Sequence, residues 1–424
     1  MTKLLYSYSM NATGTLLQRA RRVYRKLFSI EEFERSDVLP WVFGVLLVGF
    51  LMLANTLIDT DTITIQGVLN NSSVCWPWFP NCDSWHFLVG YPDGYSQRLA
   101  FALVLGILVG CVYSIWKKDW TTAHALLMIV YLFFIFLVYV MEGRSGLRYG
   151  DHLVVLTTVV LFFRNKVFYL GFTLVLLYFF GGLSKLNEGW LTGSRFLWSD
   201  SGLPLIPRGA TMFATNVIVV MELLGSWLLL AKSSAMRISV LCFFIIFHIY
   251  TIIFTGFTYS VVALPLLLLL FSQERRERMP DRLQVGASLF LGTLFVLQIT
   301  HFFIPGDMRI TREGGMYAFD SFSSSNECRS YVTHVYRDGT TREWVRKGNG
   351  GCDPYAQLSR IQRECEFATP KPVRIAWKFD QSVNGEPYLR IVDVPNACVL
   401  TYNAFLHNEW IRLDPEIRKQ PEQK

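Results

Sequence analysis

Three ionisable side chains set among apolar neighbours are the residues of this chain best suited to do chemistry: Lys185, His152 and His248. Lys185 ends the apolar run that begins near Val167, in the segment YFFGGLSKLNEGW, about one turn inside the end of a predicted membrane helix. A charged amine at mid-bilayer costs about 2.5–3.5 kcal/mol, and less near the interface. This cost makes Lys185 a candidate functional residue.

Lys185 and His152 form the candidate reactive pair. Asp151 and His152 open the preceding span in RYGDHLVVL, just after Arg148. Burial in apolar surroundings favours the neutral form of an amine, which can then act as a base. A neighbouring imidazole can orient that amine or carry its proton onward. Two structural alternatives stay open: Lys185 extends its amine to the headgroups, and His152 caps the helix or pairs with Asp151.

Further polar groups lie at a similar predicted depth. His248 is about two turns from the end of the seventh span, where it contacts a ligand or makes an interhelical hydrogen bond. Glu222, in the sixth span, is interpreted as a neutral, hydrogen-bonded carboxyl and is given no catalytic role. The candidate ligand-contacting residues are His248, Gly181, Gly182 and Trp190, and the candidate supporting residues are Asp151, Asn187 and Arg148.

The composition and the long apolar runs are typical of a polytopic membrane protein. Hydrophobic residues make up 52% of the sequence and charged residues 17%, which is too apolar for a soluble protein of this size. Runs of about 20 residues can cross the hydrocarbon core. We predict an α-helical membrane protein with about nine transmembrane helices, the fourth short, near residues 38–58, 98–116, 121–142, 147–163, 167–186, 211–231, 238–257, 258–271 and 283–304.

Lysine and arginine in the short connections predict the orientation, because cytoplasmic loops carry the excess of positive charge. With nine spans the basic clusters all fall on one side, at residues 19–26, 117–118, 164–166, 232–237 and 275–278. We therefore predict a cytoplasmic segment at 1–37, a transmembrane domain at 38–304, and an extracytoplasmic domain with a charged tail at 305–424. The lack of retention signals favours a bacterial inner membrane over the endoplasmic reticulum.

Residues 1–37 contain an amphipathic pattern with basic residues between the apolar positions. Helical spacing is followed by Leu16, Leu17, Ala20, Val23, Tyr24, Leu27 and Phe28. The pattern predicts an interfacial helix on anionic lipid. The alternative is a disordered basic tail that fixes the topology.

Six cysteines fall on the predicted extracytoplasmic side: Cys75, Cys82, Cys328, Cys352, Cys365 and Cys398. An even number in an oxidising compartment predicts up to three disulfides, with 15 possible connectivities. A local Cys75–Cys82 bridge and a bridge from this loop to the C-terminal domain both stay open. These segments contain no Cys-x-x-Cys or His-x-x-x-His pair, so we expect no metal site.

Turn signals replace the apolar runs after Pro305. Two alternating segments flank Asp338-Gly339 and Asn384-Gly385, dipeptides that favour hairpins. We predict a small, mainly β domain held partly by disulfides because its core is small. Such a domain could recognise a substrate or cap the membrane domain.

Four segments resemble a known family. YFFGGLSKLNEGWLTG resembles the segment around the catalytic lysine of vitamin K-dependent γ-glutamyl carboxylases and of the horizontally transferred transmembrane (HTTM) family that contains them. GDHLVVL is similar to that family's Asn-His segment one span earlier, with Asp151 where Asn is usual. FHIYTIIFTGFTYSVVALPLLLLLF and IPGDMRITREGGMYAFDS are similar to the family's Phe-His run and to the stretch that leaves the last span. The four segments occur in the family's order.

The resemblance implies that Lys185 deprotonates reduced vitamin K or another lipid quinol, with His152 in support and no metal. Quinol epoxidation would then drive carboxylation of glutamate in a peptide or protein. The expected partners are the lipid bilayer and a secreted or membrane peptide or protein, without nucleic acid. The C-terminal domain is far smaller than the luminal part of animal carboxylases, so their propeptide recognition is not implied. The alternative function is a non-enzymatic membrane scaffold or a partner in secreted-peptide maturation, and a transporter is less favoured because no inverted repeat is visible.

Overall fold

A computed structural model describes residues 18–55, 76–78, 95–136, 149–197, 202–255, 257–272, 284–315, 317–319, 323–349 and 352–413. Within these ranges an apolar helical bundle precedes a small antiparallel sheet. The helices are α1 (18–27), α2 (Glu31–Arg35), α3 (Leu39–Asn55), α4 (Tyr95–Trp116), α5 (Trp120–Phe136), α6 (Tyr149–Val160), α7 (Lys166–Ser184), α8 (Glu188–Leu191), α9 (Ser194–Leu197), α10 (Thr211–Val220), α11 (Ser226–Leu228), α12 (Ser234–Thr255), α13 (Phe257–Phe271), α14 (Val285–Thr300), α15 (Met308–Thr311) and α16 (Pro354–Phe367).

Helices occur at all nine positions where the sequence predicts spans, but not all of them are long. Five are long and apolar enough to cross a membrane: Arg98–Trp116, Lys166–Ser184, Arg208–Leu228, Ser234–Ile253 and Val285–Phe303. Three apolar helices are shorter, α3, α5 and the Tyr259–Phe271 part of α13. The predicted fourth span corresponds to α6, which has 12 residues. Five candidate spans support the membrane class, and the count of nine stays a prediction.

The helix α1 has two apolar faces, of which one packs on the bundle. The Tyr24 hydroxyl is hydrogen-bonded to Nδ1 of the buried His124 at 2.9 Å, and the ring centroids of Phe28 and His124 are 5.3 Å apart. Val23 and Leu27, on the other face, are 66% and 61% exposed. One face of the predicted interfacial helix therefore packs on the helical bundle, and the other face exposes apolar side chains.

The turn after α1 and the first residues of α2 together fix the start of α7. The Glu32 carboxylate accepts hydrogen bonds from the backbone N–H groups of Asn165 and Lys166, both at 2.9 Å. A carboxylate is favourable there because free N–H groups and the helix dipole meet at a helix N-terminus. Lys166 is fully buried, and its amine donates to the carbonyls of Phe28 at 2.6 Å and Phe163 at 2.8 Å. The helix that ends at Lys185 is thus held firmly at its other end.

The C-terminal domain is a four-stranded antiparallel sheet in the order β2-β1-β3-β4. Its strands are β1 (Asn326–Val335), β2 (Thr341–Asn349), β3 (Arg374–Val383) and β4 (Leu389–Val394). The two predicted hairpins are confirmed, since β1 pairs with β2 and β3 pairs with β4. Trp377 is fully buried in the core, where its indole N–H donates to the Ser330 hydroxyl at 2.9 Å.

The helix α16, which packs against this sheet, follows from no pattern identified in the sequence. Asp353 accepts a hydrogen bond from the N–H of Tyr355 at 3.0 Å and caps the helix, and Pro354 occupies its first turn. Two disulfides hold the domain, Cys328–Cys352 and Cys365–Cys398. Neither involves the first loop, whose Cys75 and Cys82 lie outside the described residues. The second disulfide joins the end of α16 to the segment after β4.

We expect the double variant Cys365→Ala/Cys398→Ala to unfold the C-terminal domain at lower urea concentration. The bridge closes a separation of 33 residues, which corresponds to about 3–4 kcal/mol of unfolded-state entropy. Protease digestion of the full chain across a urea series, with domain fragments counted by mass spectrometry, measures the midpoint. Cys111→Ala/Cys242→Ala removes the two free cysteines of the described residues and is the control. Equal midpoints for the two double variants would contradict a stabilising bridge.

Candidate functional site

Lys185 makes a buried ion pair at the end of α7. Its amine lies 2.7 Å from a carboxylate oxygen of Glu222, and the two residues are each 4% exposed. The amine also donates to the Gly181 carbonyl at 3.1 Å. Lys185 therefore directs its charge to Glu222 inside the protein and does not extend to the headgroups, the alternative left open by its sequence position.

A local change in helix geometry places Glu222 beside this amine. The helix that starts at α10 widens to a π-helical turn over Met221–Gly225 before α11. Such turns are rare and occur often at functional sites. Gly182 permits the close approach, because a Cβ at this position would lie 2.8 Å from the Glu222 Cβ and 3.0 Å from the Leu223 nitrogen. Gly182 thus allows the close approach of the helix that carries Glu222.

An indole covers the charged amine on another side. The Lys185 nitrogen lies 5.3 Å from the centroid of the Trp190 ring, within the range of a cation–π contact. Asn187 caps α8 by accepting a hydrogen bond from the backbone N–H of Trp190 at 3.3 Å, which fixes the start of the short helix that carries the indole. Trp190 is 4% exposed. The amine consequently has a carboxylate, a carbonyl and an aromatic face as neighbours.

A second polar pair lies on the same face of α7. Tyr178 precedes Lys185 by seven residues, so the two side chains share one helix face about 10 Å apart along its axis. The Tyr178 hydroxyl is hydrogen-bonded to Nε2 of His248, which is fully buried in α12. His248 therefore makes an interhelical hydrogen bond, one of the two alternatives left open by the sequence, and its contact with a ligand stays a prediction. The described chain holds no hydrogen-bond partner for the buried Nδ1 of this imidazole.

His152 lies near the start of α6. Its ring is 5.9 Å from that of Phe319 in an edge-to-face contact. No hydrogen bond between His152 and Lys185 is found among the described residues, so the structure does not join the predicted pair directly. Arg148 and the side chain of Asp151 lie outside the described residues.

The C-terminal domain contacts the chain directly after Lys185. Arg309 donates to the Asn187 amide oxygen at 3.3 Å, and its Nε and Nη2 groups donate to the Asp307 carboxylate. The Asn187 amide in turn donates to the Ser323 carbonyl at 3.4 Å. A Cβ at Gly189 would lie 2.4 Å from the Asn384 side chain, which shows how closely the β3–β4 turn approaches α8. These contacts place the C-terminal domain against the segment that follows Lys185.

Comparison with known proteins adds no assignment: the chain matches no family model, no curated protein and no solved structure at a significant level. The described residues contain no group of three or more His, Cys, Asp or Glu side chains that could hold a metal ion. The chemistry of the site has therefore to be inferred from its own side chains.

Sequence reasoning missed the role of Glu222 and the contact of Arg309. A carboxylate in an apolar span is itself a signal, because an intramembrane charge requires a partner. The sequence analysis gave Glu222 a neutral hydrogen bond and no named partner. Arg309 carried no signal, since its segment was recognised only by its resemblance.

We expect Lys185 and Glu222 to be energetically coupled. Lys185→Met or Glu222→Leu alone leaves one charge buried without its partner, at a cost of about 3–5 kcal/mol, whereas the double variant replaces both charges with apolar groups. The double variant should therefore be more stable than either single variant. Thermal unfolding in detergent, followed by the exposure of the Cys111 thiol, measures how far each of the three variants differs in stability from the wild type. Additive destabilisation would contradict the coupling.

Proposed function

We propose that the chain is a membrane enzyme related in chemistry to the vitamin K-dependent γ-glutamyl carboxylases, with Lys185 as the base that deprotonates a lipid quinol. The buried Lys185–Glu222 ion pair is the observation that carries the proposal. A structural ion pair is often no more stable than apolar residues of equal volume. Two charges kept in an apolar bundle therefore favour a chemical role.

Glu222 gives the amine a way to become a base. Transfer of one proton across the 2.7 Å hydrogen bond converts the ammonium and the carboxylate into a neutral amine and a neutral acid. Apolar surroundings favour the neutral pair more than water does. The neutral Lys185 can then accept a hydroxyl proton from the substrate, while Glu222 keeps the proton that it received. No metal takes part in this transfer.

The surrounding residues fit a flat, apolar ring with polar ends. Tyr178, Trp190 and Tyr259 supply aromatic surface, and the unpartnered Nδ1 of His248 supplies a buried polar atom on the same face of α7 as the amine. A bound quinol would supply the redox chemistry that couples oxygen to carboxylation. In this proposal His248 and Trp190 contact the ring, and His152 acts from the mouth of the site beside Phe319 without bonding to the amine.

We further propose that the chain has nine spans, a cytoplasmic N-terminus and an extracytoplasmic C-terminal domain in a bacterial inner membrane. The positions of the basic clusters support this orientation. Lys166 binds the turn after α1, and Arg21 of α1 pairs with Asp119 between α4 and α5 at 2.5 Å. The C-terminal domain contacts Asn187, which follows the last turn of α7, and Gln298, which is near the C-terminal end of α14. The basic residues and the domain thus lie at opposite ends of the bundle.

We expect purified protein, given reduced vitamin K, bicarbonate and a glutamate-containing peptide, to form the quinone epoxide. Lys185→Met should lower epoxide formation about 100-fold or more, because a positioned base contributes at least that factor. Glu222→Gln should give a smaller loss, since the amide can bond to the amine but cannot take its proton. Epoxide is measured by chromatography, and carboxylation by incorporation of labelled carbon dioxide.

Lys166→Met is the matched control, because it removes the other buried amine of α7 at the end away from the site. Its rate per folded molecule should equal that of the wild type. An active Lys185→Met variant would exclude this lysine as the base. Failure of the wild type to form epoxide, where a known carboxylase does so, would reject the quinol chemistry. A stable protein partner whose binding survives Lys185→Met would then favour the scaffold alternative.

A further inference from the structure

Four aromatic rings from distant parts of the chain stack beside the end of the last apolar helix. Trp76 stacks on Trp78 at 4.8 Å, and Trp78 stacks on Tyr317 at 6.0 Å between ring centroids. Tyr317 stacks in turn on Phe405 at 4.9 Å, with the two planes 9° apart. We refer to Trp76, Trp78, Tyr317 and Phe405 as the aromatic stack. It joins the first loop, the segment after the last helix and the C-terminal domain.

The turn that carries Phe405 is built rigidly. The Asn403 side chain accepts the backbone N–H groups of Phe405 at 2.9 Å and Leu406 at 3.2 Å. Asn408 closes the turn by donating to the Asn403 carbonyl at 3.0 Å. Glu313, 2% exposed, accepts both the backbone and the amide N–H of Asn408. This network orders a turn whose tip contains no charged residue.

That ordered turn presents large apolar side chains to the outside. Phe405 is 52% exposed and Leu406 is 63% exposed. A soluble turn would gain nothing from holding two such side chains in place, because their exposure opposes the hydrophobic effect. The arrangement therefore indicates an apolar medium that covers them.

The exposed apolar surface of α14, the last apolar helix, indicates that this medium is the membrane. The Gln298 side chain of α14 is hydrogen-bonded to the backbone of Tyr317 and Phe319, so the aromatic stack lies near the last turns of this helix. Only 17% of the hydrophobic window of the helix is buried within the protein. Its exposed apolar surface continues through Val296 to Phe302 and Phe303, which are 56% and 79% exposed.

We propose that Trp78, Phe405 and Leu406, the exposed members of the aromatic stack and of the 403–406 turn, bind the phospholipid leaflet on the side of the C-terminal domain, while the buried Trp76 supports the stack from within the protein. Tryptophan and tyrosine favour the boundary between hydrocarbon and headgroups, and Phe405 and Leu406 enter the acyl region beside them. The domain is then attached to the membrane at two places, through Arg309 on Asn187 and through this turn. The inference does not depend on the chemistry of the Lys185 site.

Spin labels test the inference on the full chain in phosphatidylcholine vesicles. In a background with Cys111→Ser and Cys242→Ser, a nitroxide is attached at Leu406→Cys, and the unsubstituted background measures any label at other thiols. Val373→Cys is the matched control, because Val373 is 61% exposed and its N–H bonds to Val335 at the far end of the sheet from Arg309. Phe303→Cys gives the reference for the membrane.

We expect position 406 to behave like position 303, with relaxation enhanced more by oxygen, which partitions into lipid, than by a water-soluble nickel complex. Position 373 should show the reverse order. Equal preference for nickel at 406 and 373 would overturn the proposal, since the turn would then lie in water. Dipolar broadening between two labels at 406 would also overturn it, because a second copy of the chain would then cover the turn.

Discussion

The structure depends on one constraint, namely that a charge inside an apolar bundle needs a partner of opposite charge with good geometry. Lys185 and Glu222 meet this need at 2.7 Å, and much of the surrounding structure follows from their meeting. Gly182 lacks a side chain so that the second helix can approach, and the π-helical turn rotates Glu222 towards the amine. A single ion pair thus accounts for a glycine and an irregular helix that would otherwise have no evident purpose.

The helix α7 is fixed by charges at both of its ends. Glu32 caps its first N–H groups and Lys166 is enclosed by carbonyls, while Lys185 is held by Glu222 at the other end. Neither end can shift along the helix axis without leaving a buried polar group unsatisfied, which is costly in apolar surroundings. The rigid helix therefore presents Tyr178 and Lys185 at a fixed separation, as a reactive site requires.

Patterns local in sequence were predictable, and pairings between distant segments were not. Lys185 and His248 stand out because a polar residue interrupts an apolar run, and the hairpins follow from Asp338-Gly339 and Asn384-Gly385. The partner of Lys185 lies 37 residues away, and nothing in the letters MELLG indicates a π-helical turn. The cysteine count predicted disulfides, but it could not select one connectivity from the fifteen that are possible, nor therefore the two bridges that the structure shows. In α1 the helical spacing was evident, although it could not show that Tyr24 and Phe28 face protein.

The contact between the C-terminal domain and the helices gives the small sheet a role that its own fold does not explain. Arg309 is held by Asp307 in a fixed orientation and reaches Asn187, whose side chain caps α8, the short helix that carries Trp190. The position of the domain is therefore linked through two hydrogen bonds to the helix that covers Lys185. The contacts of Ser323, Asn384 and Gln298 add to this attachment. In our proposal the 403–406 turn adds a contact with the membrane, which ties the position of the domain over the membrane to the geometry of the buried site.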